Sequence, residues 1–232
     1  MKEWNVFYKQ FITYNGYKTV LNGLLATVEI AVLGLIIGIL IGTIIAVVKV
    51  MPKYKLIPKI LEKVCDVYVA FFRGTPMVVQ LLIGYFVLMP ALNIALDGLY
   101  VAIIIFGLNS GAYVSEIMRS GIQSVDVGQL EAGRAVGLSF WTAMLKIVIP
   151  QSIKNILPTL GNEFIVLIKE TSVVSFIAVT DVTKAFRAIG AANYEYIIPY
   201  LTLALVYLVI VLLINLLIKV IERRLKRSER SK

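Results

Sequence analysis

Three ionisable residues lie inside one long apolar segment, between Ile156 and Ile177: Glu163, Lys169 and Glu170. Within a membrane such charges cost roughly 3 kcal/mol each, so they are retained for function or are paired. Glu163 and Glu170 are seven residues apart and share a helix face, whereas Lys169 lies off the face of Glu163. Glu163 is therefore a candidate for binding a positively charged group of a solute. In the alternative interpretation it is protonated, or pairs with Lys169 or a second subunit, and is structural.

A second candidate site surrounds a Gly-Thr-Pro break in another apolar stretch. Proline favours the first turn of a helix, and the free amides of that turn bind anions with help from the helix dipole. Broken helices inside membranes bind substrate carboxylates in this way. The candidate carboxylate-binding residues are Arg73, Gly74, Thr75, Pro76 and Met77. In the alternative interpretation, the break only turns a cytoplasmic helix into a membrane span.

Two further residues are weaker candidates for the same cavity. Tyr113 and Glu116 lie about one helical turn apart in a third apolar segment. Glu116 also stands three residues before Arg119, which predicts an ion pair near the inner membrane surface as the alternative.

The composition excludes several chemistries. The chain has no histidine and one cysteine, Cys65, so it cannot assemble a His/Cys zinc site, a Ser-His-Asp triad or an internal disulfide. The phosphate-binding pattern G-x-x-x-x-G-K-[ST] does not occur in it. We therefore expect no catalytic residue, metal or cofactor in this chain, and any ATP hydrolysis must come from another polypeptide.

Membrane spans are the elements that must position these residues. The chain has 232 residues, of which 59% are hydrophobic and 16% charged, far from the composition of soluble domains. Apolar stretches of about 20 residues cross a bilayer. The sequence predicts one all-α polytopic domain over residues 1–232 with five spans: Gly23–Val48, a second between Ile57 and Met89, Leu99–Met118, Ile156–Ile177 and Ile197–Ile221.

The charge distribution predicts the orientation. Most of the 23 Lys and Arg residues follow the first, third and fifth spans, and short cytoplasmic loops accumulate such residues. We therefore place the N-terminus outside and the C-terminus in the cytoplasm. The basic tail over residues 222–232 is typical of contact with anionic lipid headgroups, with a nucleic-acid patch as the alternative.

Gly34, Gly38 and Gly42 recur every four residues in the first span. This spacing favours close packing of another helix against a smooth face. A flexible hinge is the alternative.

The loop over about residues 120–150 carries signals of a short exposed helix. Asp126 can cap its first amides, with Gln129 reaching back in a capping box. Gly137 suits the left-handed residue that ends such a helix, and Ser139 can cap the next one. The helix is either a docking element for another protein or an ordinary amphipathic interfacial helix.

Four motifs in this sequence resemble those of permease subunits of bacterial polar amino-acid ABC importers. The loop motif resembles E-A-A-x3-G-x9-I-x-L-P and departs from it only at Gly133 and Ile149. The four motifs are Glu131-Ala132-Gly133-x3-Gly137 with Ile147-x-Ile149-Pro150, residues 72–80, residues 112–119, and Lys169-Glu170-Thr171-Ser172.

The resemblance implies a type I ABC importer permease fold of five transmembrane helices and a cytoplasmic coupling helix. Residues Glu131, Ala132, Gly133 and Gly137 would contact the ATPase. The implied partners are two ATPase subunits, which bind ATP and Mg, a second permease chain, identical or paralogous, and an extracytoplasmic amino-acid-binding protein. The implied location is the bacterial cytoplasmic membrane.

We expect an importer of basic amino acids, because arginine, lysine and histidine offer both a carboxylate for the helix break and a cation for Glu163. The alternative function is an ion-coupled secondary transporter or channel subunit, although no inverted repeat is visible. A membrane-embedded enzyme is the third possibility, for which the chain offers no recognisable nucleophile or metal cluster.

Overall fold

The computed structural model describes residues 2–52 and 54–230, and this part of the chain is helical without strands. Short π-helical turns occur at Lys9–Thr13, Gly84–Leu88 and Met144–Val148, and a 3-10 helix at Thr171–Ile177. The helices are α1 (Lys2–Tyr8), α2 (Gly16–Val50), α3 (Leu56–Gly74), α4 (Met77–Ile83), α5 (Met89–Ala91), α6 (Gly98–Gln123), α7 (Val127–Ala135), α8 (Phe140–Ala143), α9 (Ile149–Glu170), α10 (Val182–Ala191) and α11 (Ile197–Arg230).

Three of the five predicted spans correspond to single helices that are long and apolar enough to cross a membrane. They are Gly16–Val50, Gly98–Gln123 and Ile197–Arg224. Each is longer than the predicted span, because the helix continues beyond the apolar stretch into polar residues that can reach the interface. The basic tail continues as helix to Arg230; the prediction of headgroup contact for residues 225–232 concerns side chains outside the described part.

The second predicted span is a bent pair. Leu56–Gly74 and Met77–Ala91 meet at 107°, so the chain turns sharply at Thr75 and Pro76. Proline lacks an amide donor and disfavours a helical residue before it, which explains why the helix ends here. The predicted break is therefore present, and α3 lies roughly perpendicular to the helix that follows it.

The fourth predicted span corresponds to α9, which begins at Ile149 rather than Ile156. With 22 residues it is long enough to cross a bilayer core. Its polar residues keep it outside the set of helices that qualify as spans by composition. The segment after Glu170 tightens into the 3-10 helix instead of continuing as α-helix.

The α2–α6 pair forms the centre of the fold through its glycines. A Cβ at Gly38 would lie 2.6 Å from Ser110 Oγ, and one at Gly42 2.6 Å from Val114 Cγ1. From the other side, a Cβ at Gly107 would lie 2.5 Å from Ile37 Cγ2. These contacts confirm the packing interpretation, since the glycines hold the two helix backbones close together.

Helix α10 packs against the N-terminal part of α2, near Gly23. Asp181 caps α10 by accepting hydrogen bonds from the amides of Thr183 and Lys184, both at 2.9 Å. Thr27 on α2 accepts a bond from the Val182 amide at 3.3 Å. These bonds fix the segment that follows α9 and therefore the end of the helix that carries Glu163.

Candidate functional site

Glu163 lies at the crossing of three helices. It is 8% exposed on α9, and its Oε1 accepts a hydrogen bond from Ser110 Oγ on α6 at 3.1 Å. Ser110 in turn faces Gly38 of α2. Lys169, the nearest cation in sequence, is exposed rather than turned towards this buried carboxyl. Glu163 therefore has a neutral hydroxyl partner, which sequence reasoning missed because Ser110 lies 53 residues away.

The helix break is held in shape by two side-chain amides. Gln80 Nε2 donates to Phe72 O at 2.8 Å, to Thr75 O at 3.0 Å and to Thr75 Oγ1 at 2.8 Å. Asn109 Nδ2 on α6 donates to Gln80 Oε1 at 2.9 Å and to Phe72 O at 3.3 Å. These bonds satisfy carbonyls that the end of α3 leaves without helical partners. The amides of Gln80 and Asn109 thus fix the 107° bend against α6.

The predicted residues at the break differ in accessibility. Gly74 and Pro76 are exposed, Thr75 is half-buried and Met77 is buried. A Cβ at Gly74 would meet no atom within 4 Å. The exposed side of the break is therefore open to a ligand, whereas the Met77 side chain serves the core.

Arg73 and Tyr113, two of the predicted site residues, lie next to each other in the structure. The Arg73 guanidinium carbon lies 5.5 Å from the Tyr113 ring centroid, within the range of a cation–π contact. Tyr113 follows Ser110 by three residues on α6, so the two side chains lie about one turn apart on neighbouring faces. Helix α6 therefore connects a carboxyl at Glu163 to an exposed guanidinium at Arg73.

Glu116 is engaged in an ion-pair network near the end of α2. Its Oε1 accepts from Lys49 Nζ at 2.9 Å, and its Oε2 accepts from Arg119 Nη2 at 2.8 Å. Lys49 also pairs with Asp66 of α3 at 3.1 Å. Both carboxylate oxygens of Glu116 thus have charged partners, which favours the ion-pair interpretation and adds Lys49 and Asp66, which the sequence did not indicate.

The loop helix α7 begins and ends at the predicted residues. Asp126 accepts a hydrogen bond from the Gly128 amide at 2.7 Å. Gln129 does not complete a capping box; its Oε1 instead lies 3.5 Å from the Gln151 Nε2 donor on α9. Gln129 thus connects the loop helix to the helix that carries Glu163.

Gly137 has a φ of +86°, the left-handed conformation predicted for the end of this helix. The Gly137 amide donates to Arg134 O at 3.0 Å and the Leu138 amide to Gly133 O at 3.1 Å, the two bonds of a Schellman motif. Ser139 caps α8 through the Thr142 amide at 3.2 Å. The chain between α7 and α8 is therefore a tight, fully bonded turn.

The predicted coupling residues lie on two sides of α7. Glu131, Ala132 and Gly137 are exposed, whereas Gly133 is buried and its missing Cβ leaves room for Ile147 Cδ1, which would lie only 2.8 Å from it. Two exposed apolar side chains, Val127 at 67% and Val136 at 78%, flank the helix. Sequence reasoning did not single out these two valines.

No cluster of three or more His, Cys, Asp or Glu residues that could hold a metal occurs among the described residues.

Comparison with known proteins gives the class to which this arrangement belongs. The chain is 39% identical over 210 residues to the arginine transport system permease protein ArtQ of Bacillus subtilis, covering 90% of this chain and 94% of ArtQ. It is 37% identical over 206 residues to the putative glutamine transport system permease protein GlnP of Rickettsia prowazekii, covering 89% and 92%. It is also 44% identical over 168 residues to the L-cystine transport system permease protein TcyB of Bacillus subtilis, covering 72% and 71%.

Solved structures agree. A chain of an amino acid ABC transporter crystallised with histidines matches with a TM-score of 0.83 and 38% identity, over 92% of this chain and 96% of that one. A chain of the inward-facing MetNI methionine ABC transporter matches in fold alone, with a TM-score of 0.76 and 17% identity over 89% and 96%. The fold is therefore that of a type I ABC importer permease. The profile for "binding-protein-dependent transport system inner membrane component" matches residues 34–227, and the chain belongs to that family.

Proposed function

We propose that this chain is the transmembrane subunit of an ATP-driven importer of basic amino acids. In this proposal the chain receives arginine, lysine or histidine from an external binding protein and releases it into the cytoplasm by alternating access. The support at the level of amino-acid import is the similarity to arginine, glutamine and cystine permeases. The preference for a basic solute rests on the chemistry of the site.

One observation carries that preference: Glu163 is a buried carboxyl whose hydrogen-bond partner is the neutral Ser110 hydroxyl. A buried carboxylate is stabilised by an opposite charge. A cationic side chain of the solute would provide that charge when it enters between α6 and α9. A neutral amino acid would offer only its α-amino group.

The solute carboxylate would bind at the break between α3 and α4. Arg73 is exposed there, and its guanidinium is oriented by the Tyr113 ring. Arginine side chains bind carboxylates through two parallel hydrogen bonds. Thr75, Pro76 and Met77 would add the first amides of α4 to the same anion site. The carboxylate at this end and the cation at Glu163 would orient the solute along α6.

The assembly in this proposal is a two-fold permease dimer with two ATPase subunits. The ATPase, which binds ATP and Mg, would contact the exposed residues Glu131, Ala132 and Gly137 at α7. We propose a dimer because a single chain of this size encloses a path poorly. We favour two identical copies, with a paralogous second permease as the alternative. The chain would lie in the bacterial cytoplasmic membrane with its N-terminus outside, and it would carry no catalytic residue of its own.

The test is uptake by the reconstituted complex carrying Glu163→Gln. Losing a charge-assisted contact costs roughly 1.5–3 kcal/mol, so we expect arginine uptake to fall by about tenfold or more while ATPase association is retained. Glu29→Gln is the matched control, because Glu29 is an exposed glutamate of another span, and it should transport at close to the wild-type rate. If uptake of arginine, lysine and histidine by Glu163→Gln is unchanged, Glu163 is structural and the preference for a basic solute is refuted.

A further inference from the structure

Helix α3 carries a stripe of apolar side chains along its exposed side. Six of them are 51–71% exposed and lie within an arc of about 100° at 100° per residue. We call them the apolar stripe of α3: Leu56, Ile57, Ile60, Val64, Val67 and Phe71. On the opposite side of the helix, Val69 is buried in a cluster with Ile45 of α2 and Ala112 of α6. One side of α3 therefore packs on the protein, and the other presents apolar side chains to its surroundings.

A row of lysines borders this stripe. Lys55, Lys59 and Lys63 follow one another at intervals of four residues, so neighbours lie only about 40° apart around the helix. We call these three residues the lysine line. All three are exposed, and none of them pairs with an acidic side chain among the described residues. Asp66, the next acid on the same side, is engaged by Lys49 at 3.1 Å. The exposed surface of α3 thus has an apolar part and a positively charged part.

The neighbouring helices hold α3 roughly parallel to the membrane plane. Helix α4 packs along α6, since a Cβ at Gly84 would lie 2.7 Å from Ile105 Cδ1, and α6 is apolar enough to cross the membrane. Helix α3 meets α4 at 107° and does not qualify as a span on its own. The ion pair of Asp66 with Lys49 places the middle of α3 beside the last turn of α2. Residues 56–65 therefore lie near the lysine-rich ends of the spans, which we predict to face the cytoplasm.

An anionic lipid surface complements both parts of this exposed side. Basic amphipathic helices lie in the membrane interface, with their apolar side about 5–10 Å deep at the boundary between headgroups and acyl chains. Each lysine near an anionic leaflet is attracted to it. A second copy of the chain could cover the apolar stripe, but it would leave the lysine line without a counter-charge. Lipid is therefore the occupant that suits the charge as well as the apolar side chains.

We propose that α3 is an interfacial helix that binds anionic phospholipid, with the lysine line on the headgroups and the apolar stripe among the acyl chains. The ion pair of Asp66 ties the middle of α3 to α2, and the lipid holds the end that precedes it. This inference needs a membrane around the protein, but it does not depend on which solute the chain transports.

The test is quenching of tryptophan fluorescence by brominated lipids in vesicles that contain the full-length permease. Trp4→Phe/Trp141→Phe removes both tryptophans of the chain, and Val64→Trp then places one in the apolar stripe. Every vesicle holds equal parts of phosphatidylglycerol and phosphatidylcholine, and only one of the two lipids carries bromine on its acyl chains. Bromine quenches tryptophan on contact, so comparing the two kinds of vesicle measures which lipid lies beside the stripe.

Two controls separate the lysine line from a general effect of the bilayer. Lys59→Gln/Lys63→Gln, added to Val64→Trp, leaves the apolar stripe unchanged. Leu40→Trp places the tryptophan on the exposed side of α2, where Leu40 is 62% exposed. Only variants that elute as monodisperse protein are compared, and Ile60→Trp replaces Val64→Trp if that variant fails to fold.

Brominated phosphatidylglycerol should quench Val64→Trp at least about twofold more strongly than brominated phosphatidylcholine. The ratio should fall close to one in Lys59→Gln/Lys63→Gln and should be close to one at Leu40→Trp. Equal quenching of Val64→Trp by the two lipids would overturn the proposal, as would a preference that survives the loss of the lysines or that Leu40→Trp shares. Absence of quenching by either lipid would also overturn it, because water or a second copy would then cover the stripe. Quenching needs no transported solute, so its outcome is independent of a failure of uptake.

Discussion

Gly38→Ala should disturb both the packing of α2 on α6 and the candidate solute site. The added Cβ would lie 2.6 Å from Ser110 Oγ, 2.7 Å from Ser110 Cβ and 3.1 Å from the Ser110 carbonyl carbon. Ser110 is fully buried and donates to Glu163. The serine therefore cannot move aside without weakening that hydrogen bond.

The expected loss of stability combines three contributions. Overpacking a tight contact costs about 1–3 kcal/mol, and a weakened hydrogen bond about 1 kcal/mol. Alanine returns up to about 1 kcal/mol through its better helix propensity. The net destabilisation is about 1–3 kcal/mol, which for a chain of this length lowers the unfolding midpoint by roughly 3–10 °C.

The assay is the fraction of detergent-purified protein that remains monodisperse after heating, measured by fluorescence-detected size exclusion. Gly74→Ala is the matched control, because a Cβ at Gly74 meets nothing within 4 Å, and its midpoint should stay within about 2 °C of wild type. In Gly38→Ala/Ser110→Gly the clashing side chain is removed. This double variant should melt close to Ser110→Gly alone but should not recover arginine uptake, because Glu163 has lost its hydroxyl partner.

A midpoint for Gly38→Ala as close to wild type as that of Gly74→Ala would refute the packing argument. Recovery of uptake together with stability in the double variant would refute the link between Ser110 and the solute site.

Three further predictions concern the two ends of the fold. Gly137 has a φ of +86°, a conformation that costs a β-branched side chain about 1–2 kcal/mol, so Gly137→Val should leave the spans folded but lower ATPase association and uptake. Gly137→Asn is the control and should retain both. Wild-type pull-down and uptake by Gly137→Val would contradict the coupling role. Lys49→Ala removes the cation shared by Glu116 and Asp66. Glu116 keeps its pair with Arg119 and Asp66 is largely exposed, so the expected destabilisation is about 1 kcal/mol. The exposed Lys63→Ala should change the melting midpoint less, and equal midpoints for the two variants would argue against the network. Burial raises the pKa of the Asp181 carboxyl above its ordinary value. The stability contributed by the protonated carboxyl is therefore fully present below the ordinary pKa and is lost as pH rises through the raised pKa of the folded state. Melting curves between about pH 4 and pH 7 should show a loss of stability in wild type that Asp181→Asn lacks.

Local signals predicted much of the fold. Continuous hydrophobicity located α2, α6 and α11, because each needs only its own sequence to cross a membrane. The glycines at positions 34, 38 and 42 predicted a packing face correctly, since residues without a side chain let a neighbouring helix approach closely. The left-handed end of α7 at Gly137 was also predicted from one residue and its neighbours.

The tertiary partners could not be predicted in this way. The Glu163–Ser110 bond and the Gln80–Asn109 clamp join residues that are 53 and 29 positions apart, so neither pair is visible in a local sequence pattern. The 107° bend depends on that clamp as well as on Pro76. The early start of α9 did have a local signal, because Pro150 lies in its first turn, where proline is favoured.

The central claim, that this chain is the transmembrane subunit of an ATP-driven amino-acid importer, is tested most directly by its energy source. The measurement is uptake of radiolabelled arginine into proteoliposomes that contain the permease, its ATPase and its binding protein. Uptake should require ATP and Mg on the side of the ATPase, and it should persist when ionophores collapse sodium and proton gradients. Uptake that proceeds without the ATPase and stops when an ion gradient is collapsed would contradict the account.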